Sequence, residues 1–286
     1  MGEIRLGLNL EFARHADKSF EWAVAYAADI GYEYVEPMVH WGRELLSAAG
    51  YFHSRSMLDD PLDVRRVCDR HGVQISGLSS HAPLCKPDVS LDYLKQAVRF
   101  AKECGAPMIV TDDGPKPGWT TVEEDQTLMR YVLQETAHLA ESRDVLVAVE
   151  THGGYTNAPG RLRRTLGLVD SPAIGVNFDT GNAFLSGNDP VTWLAGVIDR
   201  VVNVHAKDIP REAADTLRGK INGMLGCACG DGVLDWTDIV GVCRGAPRDL
   251  VLSVECGSIE DAGRSFDHLT SILSSTGPLS TGGSAS

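Results

Sequence analysis

The sequence predicts an α/β fold, a single (β/α)8 barrel, from three observations. Eight short apolar runs alternate with longer segments of helical periodicity. Most of the short runs are rich in Val, Ile and Leu on both faces, as strands covered on both sides should be. Polar residues then sit at nearly every C-terminal end of these runs, where such barrels place their chemistry.

The elements follow in order. The first strand is 4–9 (IRLGLN), closing on Asn9. Helix 18–30 carries Phe20, Ala23, Val24, Ala27 and Ile30 at helical spacing and stops at Gly31. Strand 33–37 holds Glu36 and feeds a long connection, 38–58, with His40, Trp41, Tyr51, Phe52 and His53. Helix 61–71 ends before Gly72, and strand 73–79 leads to His81. Helix 90–104 repeats Leu91, Leu94, Val98 and Ala101 and stops at Gly105. Strand 107–111 opens onto Thr111-Asp112-Asp113. Helix 121–142 is the longest, with Thr120 or Thr121 as N-cap and Glu123-Glu124 in its first turn.

Strand 145–150 closes on Glu150 before helix 159–169, and strand 173–179 closes on Asp179 before helix 189–198. Strand 201–206 carries His205 and opens a second long connection, 207–233. Helix 235–243, strand 250–255 ending on Glu255, and helix 259–274 complete the barrel. Residues 1–273 are thus one domain, and the small, polar stretch 274–286 is expected to be a flexible tail. Long connections of this kind in a compact domain usually carry function. A doubly wound sheet is the structural alternative, but no GxGxxG follows the first strand.

The net charge is −13, with 26 Lys+Arg against 39 Asp+Glu, which argues against a nucleic-acid partner. No apolar run approaches the roughly 18–20 residues that span a bilayer. The N-terminus runs straight into the first strand without a charged leader, so a cytoplasmic location and no membrane partner are expected. The seven cysteines are odd in number and irregular in spacing, the pattern of reduced thiols. Cys227-Ala228-Cys229 lacks a second pair at zinc-site spacing.

Glu150, Asp179, His205 and Glu255 lie at the ends of the fifth to eighth strands in order. Singly, each reads as a loop carboxylate or a core histidine. Together they converge on adjacent walls of one mouth, and three carboxylates with an imidazole suit one divalent ion with open positions. Mn²⁺ is the first choice, with Mg²⁺, Co²⁺ and Zn²⁺ as alternatives. A cation would also offset the mutual repulsion of the carboxylates.

The segments VAVETHGG (147–154), VNFDTGN (176–182), VVNVHAKD (201–208), GDGVLDW (230–236) and LSVEC (252–256) resemble the sugar phosphate isomerase/epimerase superfamily. That group includes xylose isomerase-like and AP-endonuclease-like barrels, and the resemblance runs from the first strand to the last helix. It implies a metal held by Glu150, Asp179, His205 and Glu255. In ketose 3-epimerases the equivalents of Glu150 and Glu255 are also the acid–base pair. Those epimerases usually carry His where this chain has Asn182 and Glu where it has Thr156, while Arg211 is retained. Nucleases of the group use more histidines, and Asn182 removes one of them.

The expected function is divalent-metal-dependent isomerisation or epimerisation, by proton abstraction beside the carbonyl of a sugar or sugar derivative through an enediolate. The alternative is a lyase or dehydratase of a keto-sugar, keto-inositol or 3-keto-glycoside, in which the same enediolate expels a β-leaving group. A non-catalytic sugar-binding or assembly subunit is the third possibility, and it predicts a disrupted ligand set. His152, two residues past Glu150, is a catalytic candidate, against a loop-structuring role. Glu36, His81, Asn182, Lys207, Arg211 and Trp41 are candidate substrate contacts, with Trp41 as a sugar-stacking face. Glu36 could alternatively support the metal ligands, and Lys207-Asp208 could include a buried ion pair. Gly153-Gly154 and Gly230-Asp231-Gly232 are expected to serve backbone geometry rather than to cradle a phosphate. The expected partners are a small sugar-like substrate and further copies of the chain, as dimer or tetramer.

Overall fold

A computed structural model describes residues 2–14, 16–42, 52–220 and 226–275. The strands are β1 Ile4–Asn9, β2 Tyr34–Glu36, β3 Val39–His40, β4 Arg55–Ser56, β5 Gln74–Ile75, β6 Leu78–Ser79, β7 Met108–Thr111, β8 Leu146–Glu150, β9 Ile174–Asp179, β10 Val201–Ala206 and β11 Leu250–Val254. The helices are α1 Phe20–Ile30, α2 Pro61–His71, α3 Pro87–Cys104, α4 Val122–Arg143, α5 Pro159–Leu166, α6 Thr180–Leu185, α7 Pro190–Ala195, α8 Arg211–Leu217, α9 Trp236–Cys243 and α10 Ile259–Ser275.

Nine of the strands form one sheet in the order β5-β2-β1-β11-β10-β9-β8-β7-β6, with neighbours parallel. The two ends of that order, β5 and β6, are consecutive pieces of one segment. Ser76 N–H donates to Val35 on one side and Ser80 N–H to Val110 on the other, each at 2.9 Å, so the sheet curls into a barrel of eight strand positions. The expected third strand, 73–79, is therefore split at Ser76-Gly77. A side chain at Gly77 would press against Met108, its Cβ 2.9 Å from Cγ.

The helices start and stop where local chemistry satisfies their ends. Thr121 caps α4 in a reciprocal capping box with Glu124. Asp60 caps α2, whose first residue is Pro61, and Gly31, Gly72 and Gly105 end α1, α2 and α3 in the left-handed conformation. Helix α3 begins at Pro87, three residues before the expected 90, because proline suits a first turn. Helices α5 and α7 are shorter than expected, and a 3-10 turn at Ile198–Arg200 completes the 189–198 stretch.

Val, Ile and Leu side chains of the strands pack on the helices in one main core, where Phe178 meets Trp193 edge-on at 5.4 Å. All seven cysteines are free thiols, and all but Cys227 are buried. No described helix is long and apolar enough to cross a membrane. Tyr51 and most of the expected tail, from 276 on, lie outside the described residues.

Candidate metal centre at the barrel mouth

Register brings the site together. β9 and β10 pair with Asp179 level with His205, and β8 and β9 with Glu150 level with Asn177. One ligand atom each from Glu150, Asp179 and His205 lies within 4.8 Å of the other two. All three side chains are buried. Two of their atoms, Asp179 Oδ2 and His205 Nδ1, make no well-formed hydrogen bond despite burial, with Lys207 Nζ 3.6 Å from the first and Glu255 Oε2 3.1 Å from the second. Unsatisfied buried polar atoms are costly and uncommon. Two of them within one carboxylate–imidazole set fit a divalent cation.

Each member of the set is held from behind. Asp179 caps α6, accepting from Asn182 N–H at 2.7 Å through Oδ1, so Oδ2 faces inward. Glu150 accepts from Asn182 Nδ2 at 3.0 Å and from Asn177 Nδ2 at 3.2 Å. His205 Nε2 lies 2.9 Å from Glu36 Oε1, so Nδ1 is the nitrogen turned to the cavity. Burial opposes charge on His205, but Glu36 and Glu150 outweigh it and hold the imidazole well above its ordinary range.

Glu255 was expected as the fourth ligand, but it is not part of the close group. Its Oε2 is 3.1 Å from His205 Nδ1, while Oε1 accepts from Lys207 Nζ at 2.9 Å. Burial would raise its carboxyl, but Lys207 and then His205 bring it well below the usual carboxylate range. For Asp179 the balance reverses. Burial dominates Lys207, 3.6 Å away, and pushes the carboxyl up to about 7. The buried ion pair expected at Lys207-Asp208 is formed by Lys207, with Glu255 at 2.9 Å and Asp179 at 3.6 Å.

A second cluster stands beside the first. Asp112 takes His152 Nδ1 on one oxygen, and its other oxygen lies 3.6 Å from His81 Nδ1. His81 Nε2 in turn is 3.8 Å from Glu150 Oε2. The hydrogen bond to Asp112 lifts His152 to about 9 against the effect of burial. Asp112 was seen in the sequence only as one polar strand end.

Glu150, His205, Glu255 and Lys207 line one cavity of about 280 Å³ together with His81, Asp112 and His152. Asn9, Glu11, Arg14, Met38, Ser79 and Asn182 complete the wall, and Asp179 lies buried behind it. A larger groove of about 680 Å³ runs between α5 and α7 on the outside of the barrel, and no histidine or cysteine lines it. The chemistry therefore sits in the smaller cavity.

Of the expected substrate contacts, His81, Asn182 and Lys207 line that cavity, as do the catalytic candidates Glu150, His152 and Glu255. Glu36 does not. It is fully buried beneath His205, accepting also from Asn9 and Asn203, so it supports the imidazole and has no path to substrate. Trp41 leans on Tyr93, ring centroids 6.3 Å apart, and Arg211 opens α8 at the surface; neither lines the cavity. Thr156, in the place of an epimerase Glu, donates to Asp113 at 2.9 Å and accepts from His152 N–H, so it folds its loop.

The glycine segments are backbone devices. A side chain at Gly153 would overlap the Asp113 carboxylate, and one at Gly232 the Asp208 carboxylate. Asp208 accepts from the N–H groups of Ile209, Gly230, Gly232 and Leu234 and from Trp236 Nε1. The donors a phosphate would need in GDGVLDW are thus occupied from within.

Fold and site define a (β/α)8 barrel with a carboxylate–histidine centre able to hold a metal at its C-terminal mouth. Residues 24–272 match the family described as the xylose isomerase-like TIM barrel, and the chain belongs to that family. Its curated relatives include the inosose dehydratase of Lacticaseibacillus casei, 30% identical over 109 residues, covering 34% of this chain and 36% of that protein. The chain thus aligns with only about a third of that relative's length. The inosose dehydratase of Geobacillus kaustophilus (strain HTA426) is 27% identical over 213 residues, covering 65% of this chain and 68% of that protein. Among solved structures, a D-tagatose 3-epimerase-like protein superposes with a TM-score of 0.73 at 18% identity, over 94% of this chain and 97% of that one. The probable 3-DHS dehydratase AsbF from Bacillus anthracis gives 0.71 at 18%, over 93% and 98%. At such identities the structures share the fold. The curated relatives are enzymes.

Proposed function

We propose that this chain is a metal-dependent lyase that dehydrates a polyhydroxylated ketone. The observation that carries this is the Asp112 carboxylate set between His81 and His152, in the same cavity wall as Glu150. It supplies a second acid–base group, distinct from the carboxylate pair, able to protonate a departing hydroxyl. Asn182 and Thr156 support the same reading, because both are spent on positioning Glu150 and the following loop. The inosose dehydratases among the relatives agree with it in name.

Glu150, Asp179 and His205 would hold one divalent cation, Mn²⁺ by preference, with Glu255 beside it; when bound the ion would polarise a carbonyl and acidify the adjacent C–H. Glu255, kept ionised beside Lys207, accepts that proton. The electron pair of the broken C–H bond forms the new C=C bond. The β C–O bond breaks, and His152 gives its proton to the leaving oxygen, so one water is lost. Asn182 keeps Glu150 in place, and Asp112 keeps His152 turned to the cavity.

Epimerisation is the second reading, favoured by Glu150 and Glu255 both approaching His205 Nδ1, at 3.3 and 3.1 Å. Mass spectrometry of Mn²⁺-loaded protein with a keto-inositol in D₂O separates the two. Loss of one water supports the lyase. A product that keeps its water and is one mass unit heavier, from one solvent deuteron on carbon, supports the epimerase. Turnover that survives both Glu150→Gln and Glu255→Gln overturns the acid–base assignment.

A further inference from the structure

The wall contributed by β1 is used by neither reaction. Asn9 ends β1, and its side chain accepts from Glu11 N–H at 2.9 Å, fixing a 3-10 turn over Leu10–Ala13. That turn places Glu11 and Arg14 in the cavity wall. The sheet order sets β1 half-way round the barrel from β8, which carries Glu150 and leads to His152. Glu11 is 4% exposed and pairs with Arg14. Its Oε1 receives no hydrogen bond from any described residue. Burial dominates Arg14 and pushes the Glu11 carboxyl up to about 7.

A wider pattern gives this pair its meaning. Every cationic side chain in the cavity wall already faces a carboxylate. Arg14 has Glu11, Lys207 has Glu255 and Asp179, His81 and His152 share Asp112, and His205 has Glu36. A phosphate or carboxylate on a substrate would have to displace one of these partners and leave a buried charge unpaired. Hydroxyl groups need no such exchange. They donate to an open carboxylate oxygen and accept from a guanidinium.

We propose that the cavity takes an uncharged polyhydroxylated ligand, and that Glu11 with Arg14 is the pair that reads its hydroxyls opposite Glu150. This rests on the cavity being the substrate site, as argued above. In its ionised form Glu11 is the acceptor and also the group that neutralises Arg14, so it both selects polyols and turns anions away.

Calorimetric binding to the Mn²⁺-loaded protein tests this without requiring turnover, with myo-inositol and myo-inositol 1-phosphate as probes. Any contribution of the bound ion to phosphate binding is common to all variants. The wild type is expected to bind the polyol and to gain nothing from Arg14 with the phosphate ester. Glu11→Ala is expected to weaken myo-inositol about tenfold or more. It should strengthen the phosphate ester several-fold, and the Glu11→Ala/Arg14→Ala double variant should lose that gain. Glu11→Gln keeps the shape of the side chain, guards against misfolding, and should show the same two changes, smaller. A wild type that binds the ester more tightly than the polyol through Arg14 overturns the proposal, as does unchanged binding of both probes in Glu11→Ala. If binding follows this pattern and no product forms, the assigned reaction is wrong and the ligand class stands.

Discussion

Glu36 stands on the blind side of His205, its Oε1 2.9 Å from Nε2, so the imidazole can present only Nδ1 to the cavity. A carboxylate in that place fixes both tautomer and ring orientation and makes the other nitrogen a better ligand. Glu36→Gln is expected to lower Mn²⁺ affinity by about 10–100-fold. Chelator competition measures it, and unchanged affinity would show that Nδ1 is not a ligand.

Asp112 holds two histidines but touches no member of the carboxylate–histidine triad. Asp112→Asn removes the charge that helps raise His81 and His152 above the ordinary imidazole range. Turnover should fall by about 10²-fold, the scale of one general acid, while Mn²⁺ affinity is kept. A parallel loss of metal would place Asp112 in the metal centre instead.

Glu11 makes stability depend on pH. Its carboxyl is raised to about 7 in the fold from 4.5, so its contribution is full below pH 4.5 and is lost as pH rises through 7. The loss is about 3 kcal/mol at 1.36 kcal/mol per pH unit. Urea melts of wild type and Glu11→Gln between pH 4 and 8 should diverge by that order, the variant being the flatter. Parallel curves would mean that Arg14 compensates Glu11 fully.

Asp208 anchors the start and end of the 207–233 connection through five donors. Asp208→Ala leaves all five without an acceptor and should cost about 3–5 kcal/mol in a denaturant melt, the range for stripping one member of a buried charged network. A loss below about 1 kcal/mol would mean that water replaces the carboxylate.

The order of strand ends was readable because it is local. β1 and β10 have the bounds that the apolar runs 4–9 and 201–206 predict, and Glu150, Asp179 and His205 follow from counting to each strand's end. The short elements were not readable. α6 and α8 have six and seven residues, too few to display a helical period. The partners of the site residues were also hidden, since Glu36 meets His205 across 169 positions of sequence. One signal pointed to Glu11. Cavity residues come in pairs two apart, Ser79 with His81, Glu150 with His152 and His205 with Lys207, each pair straddling the C-terminal end of its strand. Asn9 with Glu11 repeats that spacing across a tight turn.

The split at Ser76-Gly77 has a consequence for association. With β5 and β6 as the two termini of one sheet and a single segment joining them, the nine-stranded sheet leaves no free edge strand among the described residues. A second copy cannot dock by adding a strand to it. Any assembly built on the barrel must be made by side chains, from helix faces and loops, and its strength can be tuned by substitution without touching the hydrogen-bonded frame that holds Glu150, Asp179 and His205 together.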